Sequence, residues 1–91
     1  MMNLDKTLTA RSATHGKFSN NAQVAQAMRS AVELGTAWHD ATDVQKEAVH
    51  SIIGKIARLV SGDPSFEDSW ADIAGYAKLA YDETMNIEEA T

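Results

Sequence analysis

TDVQKEAVHSIIGKIARLVSGDPSFEDSWADIAGYAKLAYDE, residues 42–83, decides the fold of this chain. Thr42-Asp43-Val44-Gln45 spells a Thr-x-x-Gln capping box, whose hydroxyl and amide satisfy two N–H groups that a helix start leaves without partners. Val49, Ile52, Ile53, Ile56 and Val60 then recur at helical spacing. Gly62 stops that helix, and Asp63-Pro64 turns the chain, because a residue before proline is pushed out of the helical region. Ser65-x-x-Asp68 caps a further helix, with Glu67 and Asp68 in the first turn, where the helix dipole favours anions. Trp70, Ile73, Ala74, Ala77 and Tyr81 form its apolar face. The pattern predicts helices over 43–61 and 65–83, folded back on each other as an antiparallel hairpin.

The register of that hairpin follows from two stripes. Glu47, Ser51, Gly54 and Arg58 lie on one side of the first helix, and Asp68, Asp72, Gly75 and Leu79 repeat the same spacing on the second. Doubling back sets Arg58 against Asp68, Gly54 against Asp72, Ser51 against Gly75 and Glu47 against Leu79. A glycine inside a helix costs about 1 kcal/mol relative to alanine, so two at matched positions predict a close crossing, rimmed by ionisable groups.

Outward from the hairpin, Leu4 and Leu8 share one face of a short helix within 1–11, and residues 12–17 read as a loop. A second helix is expected over 19–34, with Ser19 as N-cap, Val24, Met28, Ala31 and Val32 on its apolar face, and Gly35 just past its end. Trp38 and His39 fall in the connection, and 87–91 read as a frayed tail. There is no alternating strand pattern and no hairpin dipeptide such as Asn-Gly. The expectation is an all-α chain: one domain, 1–91, a small helical bundle of three to four helices ending in the antiparallel hairpin.

Composition narrows the function. A chain of 91 residues buries a thin core, which makes a homodimer a natural way to hide more apolar surface. No apolar run approaches the roughly 18 residues that span a membrane. Residues 1–6 show no basic segment leading into an apolar one, and there is no cysteine, so a cytoplasmic protein is expected. Net charge is −5, and the eight Lys and Arg are scattered along the chain, which argues against direct nucleic-acid binding. The acids gather in the last third, from Asp63 to Glu89, and suit a basic protein partner or a divalent cation.

Three groups of residues can carry chemistry. In the hairpin stripe, Glu47, Asp68 and Asp72 supply oxygen ligands from two facing helices, as a helical bundle does for magnesium or manganese. Glu47 and His50 form a Glu-x-x-His step, and Lys55 and Arg58 can meet a phosphate nearby. The plainer account of the same stripe is that Arg58 neutralises Asp68 and Asp72 across the crossing. Second, Thr14-His15-Gly16-Lys17 precedes a helix N-terminus, where backbone N–H groups receive anions, so His15 and Lys17 are candidates to close a phosphate site. The alternative there is a turn bearing a surface histidine. Third, Trp38-His39-Asp40 offers an aromatic and polar edge, against which stands a tryptophan that plugs the end of the bundle. His50 and Met28 read as core-edge and core residues. No Ser/His/Asp triad, phosphate-binding glycine loop or zinc spacing is present.

The run Thr14-His15-Gly16-Lys17-Phe18-Ser19-Asn20-Asn21-Ala22-Gln23 resembles the opening of a family of small phage and prophage proteins of unknown function. The resemblance continues through Gln45-Lys46-Glu47-Ala48, Lys55-Ile56-Ala57-Arg58 and Gly62-Asp63-Pro64. It closes on Asp68-Ser69-Trp70-Ala71-Asp72-Ile73-Ala74-Gly75-Tyr76-Ala77-Lys78-Leu79, so that it covers about residues 11 to 81. It implies a phage or prophage origin. The Asp-x-x-x-Asp-Ile-Ala-Gly-Tyr-Ala piece is also distantly similar to phage proteins related to the all-α nucleoside triphosphate pyrophosphohydrolases. Those enzymes hold magnesium on Glu-x-x-Glu and Glu-x-x-Asp pairs. Here the first pair reads Glu47-x-x-His50 and the second is replaced by Asp68-x-x-x-Asp72, which puts the reaction in doubt. Two functions are expected to compete. One is a nucleotide-binding protein that uses Mg2+, with an activated water attacking a phosphoanhydride. The other is an acidic phage inhibitor that binds a host defence protein, as anti-CRISPR proteins do. A structural or assembly module without a small ligand is the third.

Overall fold

The computed structural model describes residues 3–86. Four α-helices occur among them, α1 (Leu4–His15), α2 (Phe18–Glu33), α3 (Asp43–Ser61) and α4 (Glu67–Thr84), with a short 3-10 turn at Trp38–Asp40 and no strand. The chain is all-α, and α3 and α4 form the antiparallel hairpin. The expected tail at 87–91 and the first two residues of the segment 1–11 lie outside the described residues.

α3 is the organising element. Both bonds of its capping box form: the Gln45 amide N–H donates to Thr42 Oγ1 at 3.1 Å, and the Thr42 N–H donates to Gln45 Oε1 at 2.9 Å. One side of α3 contributes Ile53 and Ala57 to a small core with Ala25 of α2, against which Val24, Met28, Val32 and Val49 pack. α4 packs on another side of α3. There Lys55 Nζ meets Asp72 Oδ2 at 2.9 Å, and Gln45 Nε2 donates to Thr84 Oγ1 at 2.9 Å. α1 buries none of its residues and adds only lighter contacts to α2 and α3.

The seam between α3 and α4 is rotated from the expected one. Ala48, Lys55 and Leu59, not Glu47, Gly54 and Arg58, stand at it; Ala48 and Leu59 are buried. The shift is one residue, about 100° around the helix. Burying Ala48 and Leu59 is favourable, whereas the expected stripe would desolvate Glu47 and Arg58, and that difference selects the observed face. The expected glycine crossing is also absent: a Cβ built on Gly54 or Gly75 would meet nothing within 4 Å.

The close approach is made by other glycines. Gly16 ends α1 at φ +76°, a conformation that side-chain-bearing residues rarely adopt, and its N–H donates to Ser12 O at 2.9 Å. A Cβ there would overlap the Ser61 carbonyl, and one on Gly62 would overlap the Thr14 carbonyl. The Asp63 N–H donates to Thr14 O at 3.0 Å across this contact.

Helix ends differ from the sequence expectation in three places. Residues 12–15, read as loop, continue α1, whose N-terminus is capped by Asn3 through a 3.0 Å bond from the Lys6 N–H. α2 starts at Phe18 with Lys17 as an N-cap that makes no side-chain bond, so Ser19 is inside the helix. Ser65 does not cap α4. Its N–H donates to Asp63 Oδ1 at 2.9 Å in an Asx turn, which leaves Phe66 at the N-cap position.

α4 shows one further departure. Of its expected apolar face, Ile73 is half-buried, but Trp70, Ala74, Ala77 and Tyr81 are exposed. The hydrophobic and small residues covered on α4 are Ser69, Ile73 and Ala80 instead, on the side of the helix that carries the Thr84 bond to Gln45. With so little of α1 and α4 covered, the radius of gyration is 15.5 Å, against about 12 Å for a compact chain of this length.

Candidate functional site

Gly16, on the α1 side of that junction, also lines a cleft. The extra turn of α1 puts Leu8, Arg11, Ser12 and His15 along one wall, at the i, i+3, i+4 and i+7 spacing of a helix face. The turn at Gly16 and Lys17 then leads into Phe18 and Asn21 of α2, and Arg58 of α3 closes the far side. The cleft has a volume of about 390 Å³, within the range of small-molecule sites.

Its charge is one-sided. Arg11, Lys17 and Arg58 all line it, and among the described residues no carboxylate does. Among the described residues none of these three cations has a carboxylate within 4.0 Å. Like charges gathered without a counter-ion repel one another, and an anion entering the cleft would relieve that repulsion. The first turn of α2 opens beside it, with backbone N–H groups that no side chain caps.

His15 records this environment. Its pKa is held below the ordinary 6.5, first by burial and then by the positive charges of Arg58, Arg11 and Lys55. The ring packs edge-on to Phe66, with centroids 5.7 Å apart, and its Nδ1 is shielded without a hydrogen-bond partner. An anion entering the cleft would oppose that depression and favour the protonated imidazole.

Of the four residues expected to bind a ligand, His15, Lys17 and Arg58 converge in the cleft, whereas Lys55 does not line it and pairs with Asp72. Arg58 thus faces the α1–α2 turn and does not pair with Asp68. Arg11 was the residue missed. Its signal was available in the sequence: Arg11 and His15 are four apart, which places them on one face once the helix runs past residue 11.

The expected metal ligands do not assemble. Glu47 and Asp68 are exposed, Asp72 is taken by Lys55, and among the described residues no three His, Asp or Glu side chains are grouped to hold an ion. His50 instead packs its ring 5.3 Å from that of Trp38, whose other contact is Lys46 Nζ at 5.9 Å. A second hollow, of about 500 Å³ at the opposite end of the hairpin, has Asp43 and Glu83 in its lining and no basic side chain.

No helix among the described residues is long and apolar enough to cross a membrane. Known protein families, curated proteins and solved structures gave no match to this chain.

Proposed function

We propose that this chain binds a phosphate-bearing small molecule, a nucleotide being the class first expected, in the cleft of Arg11, His15, Lys17 and Arg58. One observation carries the reading: three cations share a cleft that no carboxylate among the described residues lines, in a protein whose net charge is −5. Arg11 and Arg58 suit phosphate oxygens through their planar forks, Lys17 supplies a point charge, and His15 supplies a ring N–H. Of the residues that carry the resemblance to small phage proteins, His15, Gly16, Lys17, Phe18, Asn21 and Arg58 also line the cleft, which supports a phage-encoded ligand binder. Since Glu47, Asp68 and Asp72 do not converge, the reading is binding without hydrolysis; any magnesium would arrive with the nucleotide.

The test is calorimetric titration with inorganic triphosphate and with a nucleoside triphosphate, each with and without magnesium. Binding is expected, weakened by roughly tenfold or more in Arg58→Gln and in Arg11→Gln, as loss of one charge-assisted hydrogen bond implies. No heat and no thermal shift with any of these ligands would overturn the proposal. Magnesium-dependent hydrolysis abolished by Asp72→Asn would restore the pyrophosphohydrolase reading in its place.

A second reading has its own support. Glu67, Asp68 and Glu83 are exposed on α4, Asp72 pairs with Lys55, and none of the four lines the cleft. Such a face suits a basic groove on a host defence protein. Reversing Asp68, Glu67 and Glu83 to lysine should abolish protection of a phage against that defence. Unchanged protection would discard this reading.

A further inference from the structure

We propose that α4 is an interface between two copies of this chain, paired antiparallel about a two-fold axis that passes between Ala74 and Ala77. The monomer leaves one face of α4 uncovered. Trp70 is 54% exposed, Tyr81 58% and Met85 55%, and Ala74 and Ala77 between them are exposed as well. At about 100° per residue, Trp70, Ala74, Ala77, Tyr81 and Met85 occupy a single band of α4 roughly 80° wide. This is the sequence's own apolar face, and α3 covers only its edge at Ile73.

The band is self-complementary. Trp70, Ala74, Ala77 and Tyr81 are spaced four, three and four apart, so the pattern large, small, small, large reads the same in both directions. In an antiparallel pair, Trp70 of each copy lies against Tyr81 of the other, and the two alanines meet at the axis, where their small size allows close approach. An isologous dimer requires this symmetry. Alternation of four and three is also the period at which two helices keep one seam in contact. By helical angle, Asp68, Asp72 and Glu83 fall on the far side of α4, and Glu67, at the band's edge with Met85, stands opposite Thr84 of the other copy, so the pairing sets no carboxylate of these four against another.

Two further observations favour a second copy. The Trp70 indole N–H already donates to the Pro64 carbonyl at 2.8 Å, so burying this side chain strands no donor. The surface of the chain is 6867 Å², whereas a compact monomer of this mass exposes about 5,200 Å². The surplus, roughly 1,700 Å², exceeds the ~800 Å² that each partner buries in a stable interface.

Sedimentation velocity on the full chain tests the proposal. A dimer is expected at micromolar concentration. Ala77→Glu, which adds a charge at a position exposed in the monomer, should yield monomers with unchanged helical circular dichroism, and Trp70→Ala should weaken association. Leu34→Glu, equally conservative because Leu34 is exposed but stands at the C-cap of α2, should remain dimeric. A wild-type chain that stays monomeric at about 100 µM, weaker than a specific homodimer of this area should be, would overturn the proposal. A dimer that persists in both Ala77→Glu and Trp70→Ala would overturn it as well.

Discussion

Two pairs of glycines stand in this chain with opposite structural meanings. Gly54 and Gly75 sit in the middle of the two longest helices, at positions that face each other in an idealised hairpin, yet nothing lies within 4 Å of where their Cβ atoms would be. Gly16 and Gly62 sit at helix ends, far apart in sequence, and the backbones of their segments touch. A helical glycine invites the idea of close packing because it is locally unfavourable. Here the close packing is at the turns, where one glycine also has φ of +76°. The same junction brings Arg11, His15, Lys17 and Arg58 together, so the tight pair underlies the candidate site and the loose pair does not.

The sharpest way to break this contrast is Gly16→Ala. It adds a side chain against the Ser61 carbonyl and forces a left-handed conformation, so a loss of about 3 kcal/mol or more is expected in urea unfolding, together with loss of ligand binding. Gly62→Ala should behave similarly through the Thr14 carbonyl. A loss under about 1 kcal/mol in both would show that the junction yields. The mirror experiment is Gly54→Ala or Gly75→Ala. With open space at each, the helix should gain up to about 1 kcal/mol, read as a higher urea midpoint with unchanged slope. Destabilisation by either would restore the close crossing of α3 and α4.

Smaller effects sharpen the comparison. Asp72→Asn removes the Lys55 ion pair at the seam, which is partly exposed, and about 0.5 kcal/mol is expected, declining in high salt. The smallest effect is the pH dependence of His15. Its folded pKa is depressed below 6.5, so above that value neither state holds the proton and no penalty exists. As pH falls through the unfolded value, the unfolded chain takes up a proton that the folded chain resists, and stability drops until the pH passes below the folded value. The slope between about pH 7 and pH 5 should therefore be shallower in His15→Gln than in the wild type, measured as midpoint against pH. Anion binding raises the His15 pKa, so affinity should increase on acidification over the same window. Affinity independent of pH would place His15 outside the ligand's field.

Much of the fold was legible locally. The capping box at Thr42 and Gln45 and the stop at Gly62 and Pro64 bound α3 over 43–61, because caps and breakers act over a few residues. Val24, Met28 and Val32 revealed the buried side of α2 by their period. The end of α1 was less accessible. Ser12, Ala13 and Thr14 carry no strong helical pattern, and this turn is held from outside, by the Asp63 N–H on the Thr14 carbonyl.

Helical class, the hairpin and the candidacy of His15, Lys17 and Arg58 were all readable from residue order alone. Each depends on neighbours within a turn or two, where period, capping and charge type suffice. Only the tertiary structure decided which face of α3 meets α4, and that Arg58 joins Arg11 and Lys17 rather than Asp68. Those outcomes depend on a one-residue rotation of a helix. Local rules do not see it, because it is set by burying Ala48 and Leu59 while leaving charges in water.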